Sequence, residues 1–244
     1  KVYTKAPSKQ KGSPIVAVCQ ISDSHCGEVQ EPKEIENFGE FNPEICEARN
    51  IKYAEKFIDW ADMHRNSYTL NECSIIVTGD LISGDIHEEL RVTNAFPTPV
   101  QCVKAAEILT KQVALIAPHF NKVTVHFLTE DNHARLTKKP QMKDAGRNSL
   151  NYVVGKLAEA YLAKHDNVEF NIYEQFEKVI HVLSRAYLIC HGHKILQNFG
   201  VPWYSIERKV GRESTSRMHL IMNDINLAKE IGFHRYVFSH WHTP

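Results

Sequence analysis

The chain reads as an α/β protein built on a largely parallel sheet or on stacked sheets. Two observations predict this: short runs rich in Val, Ile, Leu, Phe and Tyr alternate with longer stretches of helical periodicity, and five of those runs each end at a short polar mark. The runs are Pro14 to Ile21, Cys73 to Val77, Val123 to Leu128, Ala186 to Cys190 and Tyr236 to Phe238. The marks are Asp23-Ser24-His25, Gly79-Asp80, Asn132-His133, His191-Gly192-His193 and His240-Trp241-His242. Sheets of this class place ligand-binding groups just beyond the carboxyl ends of their strands.

The elements follow in chain order. Lys1 to Ser13 carries Lys1, Lys5, Lys9 and Lys11 among Ser, Pro and Gly with no acid, and reads as a flexible basic linker or arm. Residues 14–244 then form the domain. Ile51, Ala54, Ile58 and Ala61 mark the apolar face of a first helix, and Val100, Val103, Leu109 and Val113 that of a second, which Pro118 follows. Leu150, Val153, Val154, Leu157, Tyr161 and Leu162 mark a third. Val168 to Ile172 and Ile180 to Leu183 add strands, the former in a second sheet. A fourth helix carries Met218, Ile221, Met222, Ile225 and Ala228 and ends near Gly232, a residue suited to a C-terminal cap. The chain starts at Lys1 rather than Met and stops two residues after the last mark, so it reads as a fragment of a longer polypeptide, incomplete at its C-terminus.

At 244 residues and 43% hydrophobic, the chain can bury one sizeable core. No apolar run approaches the roughly 20 residues that span a bilayer, and no secretory signal opens the chain. A membrane role is therefore not expected, and the predicted compartment is the cytoplasm. Six cysteines, Cys19, Cys26, Cys46, Cys73, Cys102 and Cys190, lack CxxC pairing and read as free thiols. Cys26, beside His25, either faces the site or is an ordinary loop thiol.

Asp, His and Asn gathered at strand ends look like a metal site. Carboxylate, imidazole and amide oxygen without obligatory thiolate suit Mn²⁺, Fe or Zn²⁺, whereas a closed structural Zn²⁺ site usually recruits Cys. Seven candidate ligands exceed what one four- to six-coordinate ion uses, and a carboxylate such as Asp80 can bridge two ions about 3.5–4 Å apart.

In these five blocks, in this order, the chain resembles the calcineurin-like metallophosphoesterase superfamily and its phage and bacterial members. The family pattern is Asp-x-His, Gly-Asp, Gly-Asn-His, His and Gly-His-x-His, and the resemblance runs from about Val16 to His242. It implies two stacked mixed β-sheets flanked by helices. It also implies one divalent ion on Asp23, His25, Asp80 and His242, and a second on Asp80, Asn132, His191 and His240. Mn²⁺ is the expected ion, with Fe, Zn²⁺ or Ni²⁺ as alternatives. The implied reaction is in-line attack on a phosphate ester by a hydroxide bridging the two metals, with His133 as proton donor to the leaving oxygen. In an extended segment the x of Asp-x-His and of His-x-His points both side chains of a pair the same way.

The chain departs from the pattern at four positions. Asp131 replaces the Gly before Asn132, where it tolerates glycine-like torsions less well or adds a carboxylate near the site. Ala134 follows His133, and Ser239 replaces the Gly before His240. Ser83 stands where the family often has an Asp that orients the catalytic His, a role open to Asp85.

Substrate class is expected to be a phosphodiester of DNA, RNA or a nucleotide, cleaved as by a nuclease. A phosphomonoester and a non-catalytic scaffold are the alternatives. A basic loop after His133 carries Arg135, Lys138, Lys139, Lys143 and Arg147, of which Arg135 is the leading phosphate contact, and His193 is the second candidate substrate residue. Against a polyanion stand Glu28, Glu31, Glu34, Glu36, Glu40, Glu44 and Glu47 after the first mark, and a formal net charge of zero. His87 either touches substrate or begins a helix, and Trp241 either stacks on a base or packs against the fold. Phage and bacterial relatives of this kind can carry a small DNA-binding domain upstream, so such a partner domain is expected before Lys1.

Overall fold

The first sheet forms because four apolar runs are each followed by a stretch long enough to return to the same edge. In a computed structural model that describes residues 12–195 and 202–242, β1 (Pro14–Ile21), β2 (Thr69–Val77), β3 (Lys122–Leu128) and β4 (Val168–Tyr173) lie side by side in that order, all parallel. Crossovers through helices make this possible: α1 (Pro43–His64) joins β1 to β2, α2 (Glu88–Thr93) and α3 (Thr98–Ile116) join β2 to β3, and α4 (Leu150–Leu162) joins β3 to β4. Asn42 caps α1 by accepting the Ile45 amide at 2.8 Å, and Ser149 caps α4 by accepting the Asn151 amide at 3.2 Å. Residues 1–11 of the expected basic arm lie outside the described residues. Gly12 and Ser13 already dock on the sheet, where the Gly12 carbonyl accepts the Thr69 hydroxyl and the Ser13 carbonyl the Thr69 amide.

A second sheet of β5 (Glu177–Val182), β6 (Arg185–Cys190) and β7 (Arg235–Val237) is mixed: β5 and β6 form an antiparallel hairpin, and β6 pairs parallel with β7. Between β6 and β7 lie α5 (Trp203–Asn223) and the short α6 (Ala228–Ile231). β2 shows how the layers meet. Ile75 points into the main core with Val125, Phe127, Leu109 and Ile58, while Ile76 points the opposite way and packs with Ile180 and Ile189 of the second sheet. Burial on both faces is why Cys73 to Val77 reads as a nearly continuous apolar run rather than an alternation.

Several expectations are corrected. Val168–Tyr173 belongs to the first sheet, paired with β3 from Val123–Val168 to Leu128–Tyr173, so only the second sheet is mixed. Leu183 lies in the β5–β6 turn at φ 52° and not in the strand. On α3, Val100 and Val103 are 40% and 39% exposed; the buried face runs through Cys102, Ala105, Ala106, Leu109, Val113 and Ile116. The same holds for α4, where Val153 and Tyr161 face out while Val154, Gly155, Ala158 and Leu162 face in. The physical reason is close approach: a Cβ on Gly155 would lie 3.0 Å from the Phe127 ring. Small residues therefore carry the packed stripe, and larger apolar ones flank it. The fourth helix begins at Trp203, well before Met218, and breaks at Asp224, which is extended (φ −145°, ψ 103°) and accepts the Asn226 amide. Gly232 at φ −68° ends α6 without a left-handed cap.

Truncation separates the packed from the flanking positions on α3. Leu109→Ala is expected to cost about 2–5 kcal/mol in urea unfolding, while Val103→Ala stays within about 0.5 kcal/mol.

Candidate metal centre

Five polar segments meet because five strands end together. β1, β2 and β3 run parallel, as do β6 and β7, and the segments that follow them carry Asp23 and His25, Asp80, Asn132 and His133, His191 and His193, and His240 and His242. Backbone bonds continue past the strands: the Asp23 amide donates to Gly79 (3.1 Å), His25 to Asp80 (2.9 Å) and Ser239 to His191 (2.9 Å).

The local backbone is not extended as the x spacing implied. Asp23 (φ 52°), His25 (φ 43°), Asp80 (φ 49°) and His240 (φ 79°) all adopt positive φ, a conformation that costs a non-glycine residue on the order of 1 kcal/mol or more. Side chains at alternate positions converge through these left-handed turns. Two glycines make the turns feasible. Gly79 (φ 97°) would place a Cβ 2.7 Å from the Asp131 Cβ, and Gly84 (φ 70°) would place one 2.2 Å from the His133 carbonyl oxygen.

Asp80 stands at the centre of the site, almost wholly buried. Its Oδ2 lies 3.1 Å from His191 Nε2, 3.9 Å from His25 Nε2, 3.9 Å from His240 Nδ1 and 4.0 Å from His133 Nε2. On one side His242 Nε2 lies 3.1 Å from Asp23 Oδ1 and 3.3 Å from His25 Nε2. On the other, Asn132 Oδ1 lies 2.8 Å from His191 Nε2. Three groups have ligating atoms within 4.8 Å of one another: Asp23, His25 and His242; His25, Asp80 and His133; and Asp80, His191 and His240. These could hold a metal ion, and the donor set fits one. Two imidazole nitrogens facing each other at 3.3 Å, with a carboxylate oxygen at 3.1 Å, offer lone pairs that only a shared proton or a cation satisfies.

Hydrogen bonds behind the donors fix which nitrogen faces inward. His191 Nδ1 donates to the Thr78 carbonyl at 2.7 Å, leaving Nε2 toward Asp80, and His133 Nδ1 donates to the Ser83 carbonyl at 2.7 Å, leaving its Nε2 toward the centre. The acceptor that orients His133 is thus a backbone carbonyl of Ser83. Asp85 is exposed and has no such contact. Burial opposes charge on His25, His191 and Asp80. It depresses His25 to about 4, whereas at His191 the Asp80 bond and the Asp80, Asp131 and Asp23 charges outweigh it and raise the pKa to about 9. Bonds from His191 and His240, with the His191 and His133 charges, hold Asp80 well below the usual carboxylate range despite its burial.

Asp131 does not join the ligand groups. Its carboxylate accepts the Asp80 amide at 2.7 Å and the Ala134 amide at 2.8 Å, and the Asn151 side-chain amide also donates to it. It therefore ties the β2 loop, the β3 loop and the start of α4 together. Its φ is not positive, so no glycine is required at this position. Burial, and then the Asp80 charge, raise its pKa to about 7. Ser239 is likewise accommodated: its hydroxyl donates to the Thr78 and His191 carbonyls.

The remaining sequence candidates divide. His193 stands at the edge of the cluster, its ring 5.5 Å from that of His191, with Nε2 3.3 Å from Glu130. Arg135 spends its guanidinium on its own loop, donating to the Thr137 and Lys138 carbonyls at 3.1 Å each. Within the same loop, Lys138 pairs with Glu88 and Arg147 with Glu174. The loop is therefore less available to phosphate than its composition implied. His87 does begin α2, yet its ring also lies 5.9 Å from that of His133. Trp241 sets its ring edge against His240. Cys26 is buried with its thiol toward Cys46, away from the donors, and all six cysteines are free. Asn151 and Glu130 went unread in the sequence because neither stands in a mark at a strand end.

Asp131→Ala leaves two buried backbone amides and the Asn151 amide without an acceptor. It is expected to lower stability by about 1–3 kcal/mol for each donor left unpaired, measured by urea unfolding. Among known proteins, the chain matches no protein-family model and no curated protein sequence.

Proposed function

We propose that this chain is a phosphoesterase of the calcineurin-like metallophosphoesterase fold that uses two divalent ions, Mn²⁺ first among them, to cleave a phosphodiester of nucleic acid or nucleotides. The observation that carries the reading is the position of Asp80, one buried carboxylate within 4.0 Å of histidine nitrogens from four other segments. Asp23, His25 and His242 would complete one ion's shell beside it, and Asn132, His191 and His240 the other's. The α/β architecture and the ordered five-block resemblance support the same reading.

When bound, two such ions lower the pKa of coordinated water and offset charge on the phosphoryl oxygens. The protein's own residues do the rest. Asp80 holds the two ligand sets at one distance from a rigid strand end. His133, with Nδ1 held by the Ser83 carbonyl, presents Nε2 to the centre, where in its protonated form it can give a proton to the leaving oxygen. No helix among the described residues is long and apolar enough to cross a membrane, and a water-borne phosphate ester is compatible with that.

Metal-stripped protein restored with Mn²⁺ is expected to hydrolyse bis-p-nitrophenyl phosphate faster than p-nitrophenyl phosphate. Asp80→Asn should abolish both turnover and tight metal binding in calorimetry. Preference for the monoester would move the assignment to a phosphatase, and metal binding without turnover of either substrate would move it to a binding scaffold. His133→Ala should keep metal affinity within a few-fold yet slow substrates with poor leaving groups by roughly 10²–10⁴; unchanged turnover would remove His133 from the mechanism.

A further inference from the structure

The helix α5 lies against the metal centre's edge without burying a single residue among those described. Ser205, Arg208, Lys209 and Arg212 recur at helical spacing on one of its faces, and across from them stand Lys194 and Ile195, so that a groove of about 300 Å³ opens between the two walls. The far wall is the chain just after His191, and three residues of backbone reach at most about 10 Å. The groove and the metal centre are therefore neighbours. Lys194 also lines a second cleft that leads to His193, Asp131 and Arg135.

The charge of the groove is unequally spent. Lys209 pairs with Glu177 and Glu213, and Lys194 with Glu130. Glu213, the one acid in the lining, also faces Arg217. Arg208 and Arg212 have no ion-pair partner among the described residues, and both are exposed. At the same end of α5, Tyr204 is 66% exposed and flanks the groove face, with the Arg208 guanidinium over its ring at 5.5 Å. Exposed cations beside an exposed aromatic ring are what an unpaired strand requires: phosphates take the cations, and a base, whose face a duplex would hide, takes the ring.

We propose that the groove between α5 and the Lys194 segment guides a single-stranded nucleic acid toward the metal centre, with Arg208 and Arg212 on its phosphates and Tyr204 stacked on a base. The placement of the scissile phosphate rests on the phosphodiesterase reading; the binding itself does not.

Fluorescence anisotropy of a labelled single-stranded oligonucleotide with the full chain in EDTA tests the groove directly. The wild-type affinity should fall as salt rises. Arg208→Gln with Arg212→Gln should weaken binding at least about tenfold at low salt and flatten the dependence of log K on log salt by about 1.4, two contacts at about 0.7 each. Tyr204→Ala should weaken binding while leaving that slope unchanged. A charge-matched control on α1, Lys52→Gln with Lys56→Gln, should bind as wild type. Equal loss in the α1 control, full affinity in the arginine variant, or absence of oligonucleotide binding with retention on anionic phosphatidylglycerol vesicles would each overturn the proposal. Turnover of bis-p-nitrophenyl phosphate by the wild type, assayed separately, reports on the phosphodiesterase reading alone.

Discussion

A carboxylate buried at the centre of the fold governs the rest of the structure. Removing a charge of this kind from water is costly unless opposite charge and hydrogen bonds surround it. Around Asp80 the chain answers with four imidazoles on one oxygen, drawn from segments that begin as far apart in sequence as His25 and His240. Burial and pairing pull in opposite directions there, and pairing prevails: Asp80 stays ionised while His191 is pushed toward its charged form. A cluster of lone pairs held this close is costly in the bare protein, and these groups could hold a metal ion.

Holding that cluster needs a backbone bent against its preference. Four of the donor residues sit at positive φ, and the strain is sustained because their neighbours fix them. Asp131 is the main fixture: one carboxylate accepts from Asp80, Ala134 and Asn151 and so binds two loops to a helix start. Gly79 and Gly84 leave room where Asp131 and the His133 carbonyl press closest. Asp131 thus serves the architecture of the site rather than adding a ligand to it.

The two sides of the candidate site differ in how their cations are engaged. Toward the loop after His133, Arg135, Lys138 and Arg147 are engaged with carbonyls and acids of their own neighbourhood. Toward α5, Arg208 and Arg212 are exposed beside Lys194 with no ion-pair partner among the described residues. A net charge of zero hides this asymmetry, because composition sums over faces that a ligand never samples together.

Much was legible in the sequence for a simple reason: apolar runs that cross a two-sided core must be continuous, and the polar groups that end them must go where strands end. β1 appears at the residues expected, and the other runs agree with their strands to within a few residues. The donors at those ends, from Asp23 to His242, are brought together as their order implied. What remained illegible depends on contacts. Small residues such as Ala105, Ala106 and Gly155 carry helix packing, and periodicity read from large side chains passes over them. Whether β4 joins the first sheet or the second is a matter of pairing energy between distant segments. Backbone acceptors such as the Ser83 carbonyl have no letter in the sequence, and a cation such as Arg135 or Arg208 is free or spent only by virtue of what the fold sets beside it. Sequence alone determined which residues could bind and in what order; tertiary structure decided their distances, their torsions and which charges were left for a ligand, because those depend on neighbours that the chain supplies only after folding.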